Sequence, residues 1–419
     1  MELSAFGERF VSGSGINLLM DDLGKAMAGR AGMLMLGGGN PARIPAVEAV
    51  WRRRIGELLQ DSDSWERMLA NYDTPRGSPE FIENLANLLR RQFKWDIGPE
   101  NITITNGAQT AFFCLFNMLA GKTRKGSCRR ILFPLMPEYI GYADQGIDPD
   151  MFVCVPPRIE ELDRHTFKYR IDFDRLEITA DIAAICVSRP TNPTGNVLTD
   201  DEISRLSGLA EKHGIPLIID NAYGMPFPGI VFTDAQPVWT RNTILTLSLS
   251  KLGLPGVRTG IIVAPPETIK AVSAMNAVLC LANGNLGQAL ISPMLKNGEI
   301  LKISSEIIRP YYMEKSARTR KFINDSFPDD INYSVHKSEG ALFLWLWFKG
   351  LPVSTMDLYE RLKQRGVLIV PGSYFFFGRN SKCGHENECI RLTYSQSDDS
   401  VRRGIRILAG EVIKAYNES

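Results

Sequence analysis

Ile215-Pro216-Leu217-Ile218-Ile219 runs without a polar side chain into Asp220-Asn221-Ala222-Tyr223-Gly224. A short apolar run that stops at polar and glycine residues reads as a strand buried on both faces. The same pattern recurs on either side of it. Ala183-Ala184-Ile185-Cys186-Val187-Ser188 stops at Arg189-Pro190-Thr191-Asn192-Pro193-Thr194-Gly195, and the strand 243–247 stops at Ser248-Leu249-Ser250-Lys251. Between the first two lies a helix reaching 213, headed by a capping box of Thr199 and Glu202. Buried strands alternating with helices predict an α/β fold, a mainly parallel sheet with helices on both faces. In such folds ligands bind beyond the carboxyl ends of the strands, which is where these polar residues fall.

Upstream, Met33-Leu34-Met35-Leu36 is a short strand entering Gly37-Gly38-Gly39-Asn40-Pro41. Glycines there permit a turn or a close backbone approach to a ligand. The arm before it carries one helical patch over 18–28. Helices are predicted over 47–59 and 79–93, the second capped by Ser78 with Pro79 at its first position. Ile102-Thr103-Ile104-Thr105 enters Asn106-Gly107-Ala108-Gln109 and a helix over 110–119, a geometry that aims free N–H groups at an anion. Further strands are expected at 130–133, 151–155 and 261–264. After 264 come helices through the 270s and over 300–327, a strand at 341–348, a helix at 355–364, strands at 367–370 and 389–394, and a C-terminal helix to 416. This order predicts a smaller α+β domain. The expected division is an arm over 1–45 packing with that domain, a large domain over 46–295 and the small domain over 296–419. Period-two alternation in 389–394 sets Ile390, Leu392 and Tyr394 on one face and Arg391 on the other with Cys389 and Thr393.

Composition narrows the function. Among 419 residues, 48 basic and 47 acidic side chains leave a net charge of +1, without the basic excess a nucleic-acid partner requires. Hydrophobic content of 44% and charged content of 23% are those of a soluble globular protein. No apolar run is long enough to span a bilayer, so no membrane partner is expected. The 7 cysteines form no Cys-x-x-Cys pair and no secretory signal pattern is seen, so a reducing cytoplasm is the expected location. Cys383, His385 and Cys389 raise the question of zinc, but a fourth ligand at metal spacing is missing and no metal is expected.

Lys251 sits between two serines and the glycine-rich Leu252-Gly253-Leu254-Pro255-Gly256-Val257-Arg258. Serines and Arg258 suit an anion, and the lysine suits attack on a carbonyl. That arrangement is expected of a Schiff-base lysine beside pyridoxal phosphate, with an ordinary solvated loop lysine as the alternative. The rest of the chain supports the former. Tyr72 with Gly77, Asn106 to Gln109, Pro137-Glu138-Tyr139, Asn192-Pro193-Thr194-Gly195, Asp220 to Tyr223, Ser248 to Gly260 and Cys389-Ile390-Arg391-Leu392 occur in one order. By these motifs the chain resembles, over essentially its whole length, the fold-type I pyridoxal-phosphate enzymes of the class I/II aminotransferase group. At finer grain Gly37 to Pro41, Pro137 to Tyr142, Asn221 to Gly229 and Glu339 to Phe348 are similar to the bacterial valine–pyruvate aminotransferases.

The resemblance implies a large domain with a mostly parallel seven-stranded sheet, pyridoxal 5'-phosphate as cofactor, and a homodimer with shared sites. It implies transfer of an amino group between a small aliphatic amino acid, valine or alanine, and a 2-oxo acid, pyruvate or 2-oxoisovalerate. Lys251 would anchor the cofactor and move the substrate α-proton. Asp220 would keep the ring nitrogen protonated. Tyr223 and Asn192 would donate to the ring oxygen, and Tyr139 would stack on the ring. The phosphate would be held by Gly107, Ala108, Gln109, Ser248, Ser250 and Arg258, with Tyr72 reaching it from the neighbouring subunit. Arg391 would grip the substrate carboxylate, as only a guanidinium can do bidentately, with Asn192, Gly38 and Gly39 beside it. Ile16, Leu18 and Leu19 of the arm would close an apolar pocket, and Asn283-Gly284-Asn285 would contribute from the neighbour. Asn192-Pro193 also reads as a plain turn, open to a cis bond.

The chain departs from the family in two places. Leu252-Gly253-Leu254 stands where an aromatic usually follows the lysine, and 373–388 is rich in phenylalanine and glycine without a family motif. Both leave the substrate range open. A broader-range aminotransferase, or a β-lyase or decarboxylase using the same cofactor, therefore remains an alternative. A pyridoxal-phosphate sensor would need a basic DNA-binding head. A nucleotide-binding protein would need the further glycines that Asn106-Gly107-Ala108-Gln109 lacks.

Overall fold

The computed structural model describes residues 1–11, 15–29 and 32–418. The main sheet runs Ile102–Thr105, Gly260–Val263, Thr243–Ser248, Leu217–Asp220, Ile182–Ser188 and Cys128–Phe133, and both Gly121–Lys122 and Phe152–Cys154 pair with the last. Setting aside the two-residue Gly121–Lys122, seven strands remain, and of these Gly260–Val263 alone runs antiparallel to its neighbours. Every residue of Ile182–Ser188, Leu217–Asp220 and Thr243–Ser248 is buried, as continuous apolar runs between two helical layers require.

A second sheet of six strands orders Val370–Pro371, Cys389–Thr393, Phe343–Phe348, Tyr333–His336, Thr166–Arg170 and Arg158–Asp163. Its last two strands form a hairpin within the stretch expected to belong to the large domain. The charges of Arg158 to Asp163 hide the hairpin from a hydrophobicity reading. The inner strand, with Phe167 and Tyr169, is buried from Thr166 to Tyr169, and the outer one is not. Leu34–Met35 pairs in parallel with Val367–Leu368 and so ties the arm to the C-terminal part.

Most local signals act as read. Ser78 caps Pro79–Phe93, and Thr199 with Glu202 closes the capping box of Asp200–Lys212. The helix Leu286–Asn297 was not anticipated, because Pro293 interrupts its pattern. The stretch 300–327 is a helix with a π-helical segment, Ile303–Ile308, just before Arg309–Asn324. Pro310, which lacks an N–H, occupies the first turn of that last helix. The arm carries two helices, Ala5–Val11 and Gly15–Gly29, where one was expected. The Asn192–Pro193 bond is not cis; among the described residues the cis bonds are Met136–Pro137, Arg189–Pro190, Met225–Pro226 and Phe227–Pro228.

Thr199→Ala should lower the unfolding free energy by about 1 kcal/mol, measured by urea denaturation. A loss below about 0.3 kcal/mol would mean that tertiary contacts, not the box, hold this helix start.

Candidate active site

Three neighbouring parallel strands end side by side. Ser188 is in register with Asp220, and Asp220 with Thr246, so the polar residues after each strand meet on one edge of the sheet. A cavity of about 630 Å³ opens there. Lys251 enters it from the single turn Ser250–Leu252, which Gly253 ends in a left-handed conformation. Its ammonium donates to the carbonyl of Gly39 at 2.7 Å and lies 5.2 Å from the Tyr223 ring centre.

Asp220 forms the inner wall. One carboxylate oxygen accepts from the backbone N–H of Ala222 at 2.8 Å and from Thr246 Oγ1 at 3.4 Å. The other accepts a short bond from the Tyr142 hydroxyl. Burial raises the pKa of Asp220, and those hydrogen bonds oppose the rise. Tyr142 was not singled out in the sequence. It is enclosed by Phe112, Phe116, Phe133 and Tyr139, with ring centres 4.7 to 5.8 Å away. Glu138 belongs to the Pro137-Glu138-Tyr139 motif. It is buried, accepts from Ser188 N at 2.9 Å and Oγ at 2.6 Å, and burial pushes its carboxyl up to about 8.

Gly107, Ala108 and Gln109 start the helix Ala108–Leu119 opposite Arg258. A β-carbon on Gly107 would lie 2.3 Å from Arg258 Nη2, and one on Gly260 would lie 2.5 Å from the Gly107 carbonyl carbon. The guanidinium and the helix start therefore converge only because both positions are glycine. Arg258 itself is left-handed, at φ +48°, and donates to Pro255 O at 3.2 Å. Ser248 Oγ accepts from the Ser250 N–H at 3.2 Å, and Gln109 Nε2 donates to Gly141 O at 3.2 Å, beside Tyr139.

Arg391 reaches the opposite end of the cavity from the second sheet. Nη1 donates to Asn192 Oδ1 at 2.8 Å and Nη2 to Gly37 O at 2.6 Å, while Nε is buried without a partner. The guanidinium lies 4.2 Å from the Phe343 ring centre and 5.2 Å from that of Phe375, which belongs to the motif-less loop. Burial lowers its pKa to about 10. Burial, then Arg391 and Arg258, lower Lys251 to about 8 against the pull of Asp220.

Gly38, Gly39, Tyr139, Asn192, Tyr223, Ser248 and Ser250 all line this cavity with Ile16 and Leu19. Leu18 does not; it is exposed, one helical step away from the inward face. Tyr72 is 83% exposed and lines a separate cleft with Asn71, Asp73 and Asn285. Asn283 and Asn285 donate to Pro75 O and Asn71 O, so that loop packs against the Tyr72 turn of its own chain. His385 faces Cys389 and Tyr169 inside the second sheet, while Cys383 is exposed.

The model of the family "Aminotransferase class I and II" matches residues 46–408. Valine–pyruvate aminotransferase of Escherichia coli is 47% identical over 419 residues, all of both chains. The solved valine–pyruvate aminotransferase of Salmonella typhimurium superimposes with a TM-score of 0.89 at 47% identity, covering 96% of this chain and 100% of that one. The α-aminoadipate aminotransferase of Thermus thermophilus, complexed with N-(5'-phosphopyridoxyl)-L-leucine, shares the fold at 22% identity, with a TM-score of 0.78 over 100% of this chain and 98% of its own. The chain belongs to the class I and II aminotransferases. It has the fold of the fold-type I pyridoxal-phosphate enzymes, and its cofactor is pyridoxal 5'-phosphate. The cavity fits that group: a glycine-lined helix start beside a guanidinium for a phosphate, a desolvated lysine for an aldehyde, and a buried carboxylate for a ring nitrogen.

Tyr142→Phe should lower kcat/KM about tenfold, the scale of one hydrogen bond to a charged group; full activity would show that Asp220 needs no such donor. In cofactor-free protein the reactivity of Lys251 toward an amine-directed reagent, followed by peptide mass spectrometry, should rise with an inflection near pH 8. Arg391→Gln should move that inflection upward, since one of the charges holding it down is removed.

Proposed function

We propose that the chain exchanges the amino group between valine or alanine and pyruvate or 2-oxoisovalerate. The observation that carries this reading is Arg391: a buried guanidinium with an unpartnered Nε, facing the cavity of Lys251. Such a group takes one carboxylate. The other cationic side chains lining the cavity are Lys251 and Arg258, so among the described residues no second arginine faces a side-chain carboxylate. Ile16, Leu19, Met35 and Ile140 offer apolar surface instead. The Escherichia coli and Salmonella typhimurium relatives support the same substrates.

When bound, pyridoxal 5'-phosphate supplies a carbonyl for amine exchange and a conjugated ring that accepts the electron pair left at the substrate Cα. Lys251 anchors it and moves the Cα proton, for which an amine near pKa 8 is better poised than a solvated lysine. Asp220 keeps the ring nitrogen protonated. Asn192 spends its Oδ1 on Arg391, which leaves its amide N–H groups for the ring oxygen, alongside the Tyr223 hydroxyl. Tyr139 would cover the ring. Gly107, Ala108, Gln109, Ser248, Ser250 and Arg258 would hold the phosphate, and Gly38 and Gly39 would let backbone approach the substrate next to Arg391.

The reading includes a homodimer in which Tyr72 reaches the partner's phosphate. Leu69, Tyr72, Val278 and Leu281 are exposed on adjoining segments, joined by the bonds of Asn283 and Asn285 to the 71–75 turn. It also includes a cytoplasmic location, supported by seven free cysteines. Among the described residues no helix is long and apolar enough to cross a membrane.

Purified enzyme should show an absorption band near the visible that bleaches on adding valine and returns with pyruvate, with alanine and 2-oxoisovalerate as products. Turnover of aspartate but not valine would overturn the substrate assignment. Arg391→Gln should raise KM for valine about a hundredfold, as loss of a bidentate pair worth about 3 kcal/mol implies, with steady-state assays as the check.

A further inference from the structure

Outside the cavity lies a buried ion pair that none of the assigned roles uses. Lys168, on the hairpin strand Thr166–Arg170, meets Glu339 in a short contact, with the two side chains only 2% and 4% exposed. A second cation, Lys337, lies 3.2 Å from the other carboxylate oxygen. Removing both members of such a pair from water costs about as much as their attraction returns, so stability alone is a weak account of a buried pair.

The partners of the pair supply a further reason. Glu339 Oε2 accepts from the backbone N–H of Val197 at 3.1 Å, and Lys168 Nζ donates to the carbonyl of the same residue at 3.1 Å. Both charges thus grip one peptide segment from opposite polarity. Val197 ends the loop that carries Asn192, a loop closed on itself by Thr191 N–H to Asn196 O at 2.9 Å and Gly195 N–H to Thr191 O at 2.8 Å. The residue after Glu339 completes the hold. A β-carbon on Gly340 would lie 2.5 Å from Pro190 Cγ, and one on Gly195 would lie 2.7 Å from Gly340 O. The turn at 339–340 therefore presses on both ends of the Asn192 loop, and Asn192 in turn accepts from Arg391 at 2.8 Å.

We propose that the Lys168–Glu339 pair is a positioning device: it fixes the Asn192 loop against the second sheet and so sets where the Arg391 guanidinium stands in the cavity. Neither residue lines the cavity. The pair acts through Val197, Asn192 and Arg391, and it joins the two sheets at the point where the carboxylate is bound. This rests on the reading of Arg391 as the carboxylate site.

The test uses the cofactor-loaded enzyme and three variants: Glu339→Gln, Glu339→Asp and the apolar pair Lys168→Met with Glu339→Leu. Each is measured for melting temperature, for KM and kcat with the amino acid that wild type turns over best, and for calorimetric affinity for isovalerate, which has the carboxylate and side chain of valine but no amine to react. Glu339→Gln should raise KM and weaken isovalerate about tenfold each, the scale of one charge-assisted bond, with kcat changed less. Glu339→Asp should recover part of both. The apolar pair should recover the melting temperature, since it leaves no unpaired charge, yet keep the raised KM, since Val197 loses both partners. If Glu339→Gln does not fold, the apolar pair carries the test alone. Wild-type KM and isovalerate affinity in a folded variant would overturn the proposal. So would an apolar pair that restores binding together with stability, which marks the pair as merely structural. Because KM is compared on whichever amino acid wild type accepts, failure of the valine assignment leaves this comparison readable. Failure of Arg391→Gln to affect isovalerate would instead indict the carboxylate site itself.

Discussion

A guanidinium buried beside a lysine is the constraint around which this molecule is arranged. Arg391 forms no ion pair among the described residues; a side-chain carbonyl, a backbone carbonyl and two aromatic faces hold it instead. Each of these stabilises a cation without neutralising it. The charge thus remains available, and its field reaches Lys251. With Arg258 at the far end, three cationic side chains face the single carboxylate of Asp220 across one cavity. That excess suits a ligand set bearing a phosphate and a carboxylate. Burial first, and that excess second, keep the lysine closer to neutrality than water would.

The fold delivers this arrangement through backbone register. Parallel strands in register set Ser188, Asp220 and Thr246 side by side, so that the polar residues following each strand reach one edge of the sheet. Glycine does the same at closer range, since Gly107 and Gly260 let the Arg258 side chain and the helix start occupy space a β-carbon would fill. The second sheet brings Arg391 from far along the chain, and its placement depends on contacts that cross between the sheets. Phe375 is an example: its carbonyl accepts from the Glu138 N–H at 3.1 Å while its ring lies against Arg391. The motif-less loop around it also adds Arg379 beside Val153 at the edge of the main sheet. A stretch with no recognisable pattern thus connects the carboxylate site to the wall carrying Tyr139.

What escaped the sequence reading did so for identifiable reasons. In the hairpin, Arg158–Asp163 carries four charges without regular alternation, and the alternation of Phe167 and Tyr169 in Thr166–Arg170 spans only five residues with Lys168 between them. Lys168 looks like any surface lysine until Glu339 covers it. Tyr142 reads as one aromatic among many, and its meaning comes from an Asp220 that lies 78 residues away. Leu18 and Leu19 are adjacent and equally apolar, but a helix turns about 100° per residue, so one faces the cavity and the other faces out. Tyr72 lies on the surface of its own chain, as a residue expected to serve a neighbouring subunit requires.

The sequence by itself marked the buried strands of the main sheet and the polar groups that follow them. Those follow from local patterns: apolar runs, caps and glycines act over a few residues, and the physics that reads them is equally short-ranged. Tertiary structure alone decided which polar groups share a cavity, how far each is desolvated, and which neighbour holds it in place. Those quantities depend on contacts between residues as distant as Gly37 and Arg391 or Lys168 and Glu339. Burial and charge at Lys251 are sums over such contacts, which no single stretch of chain contains.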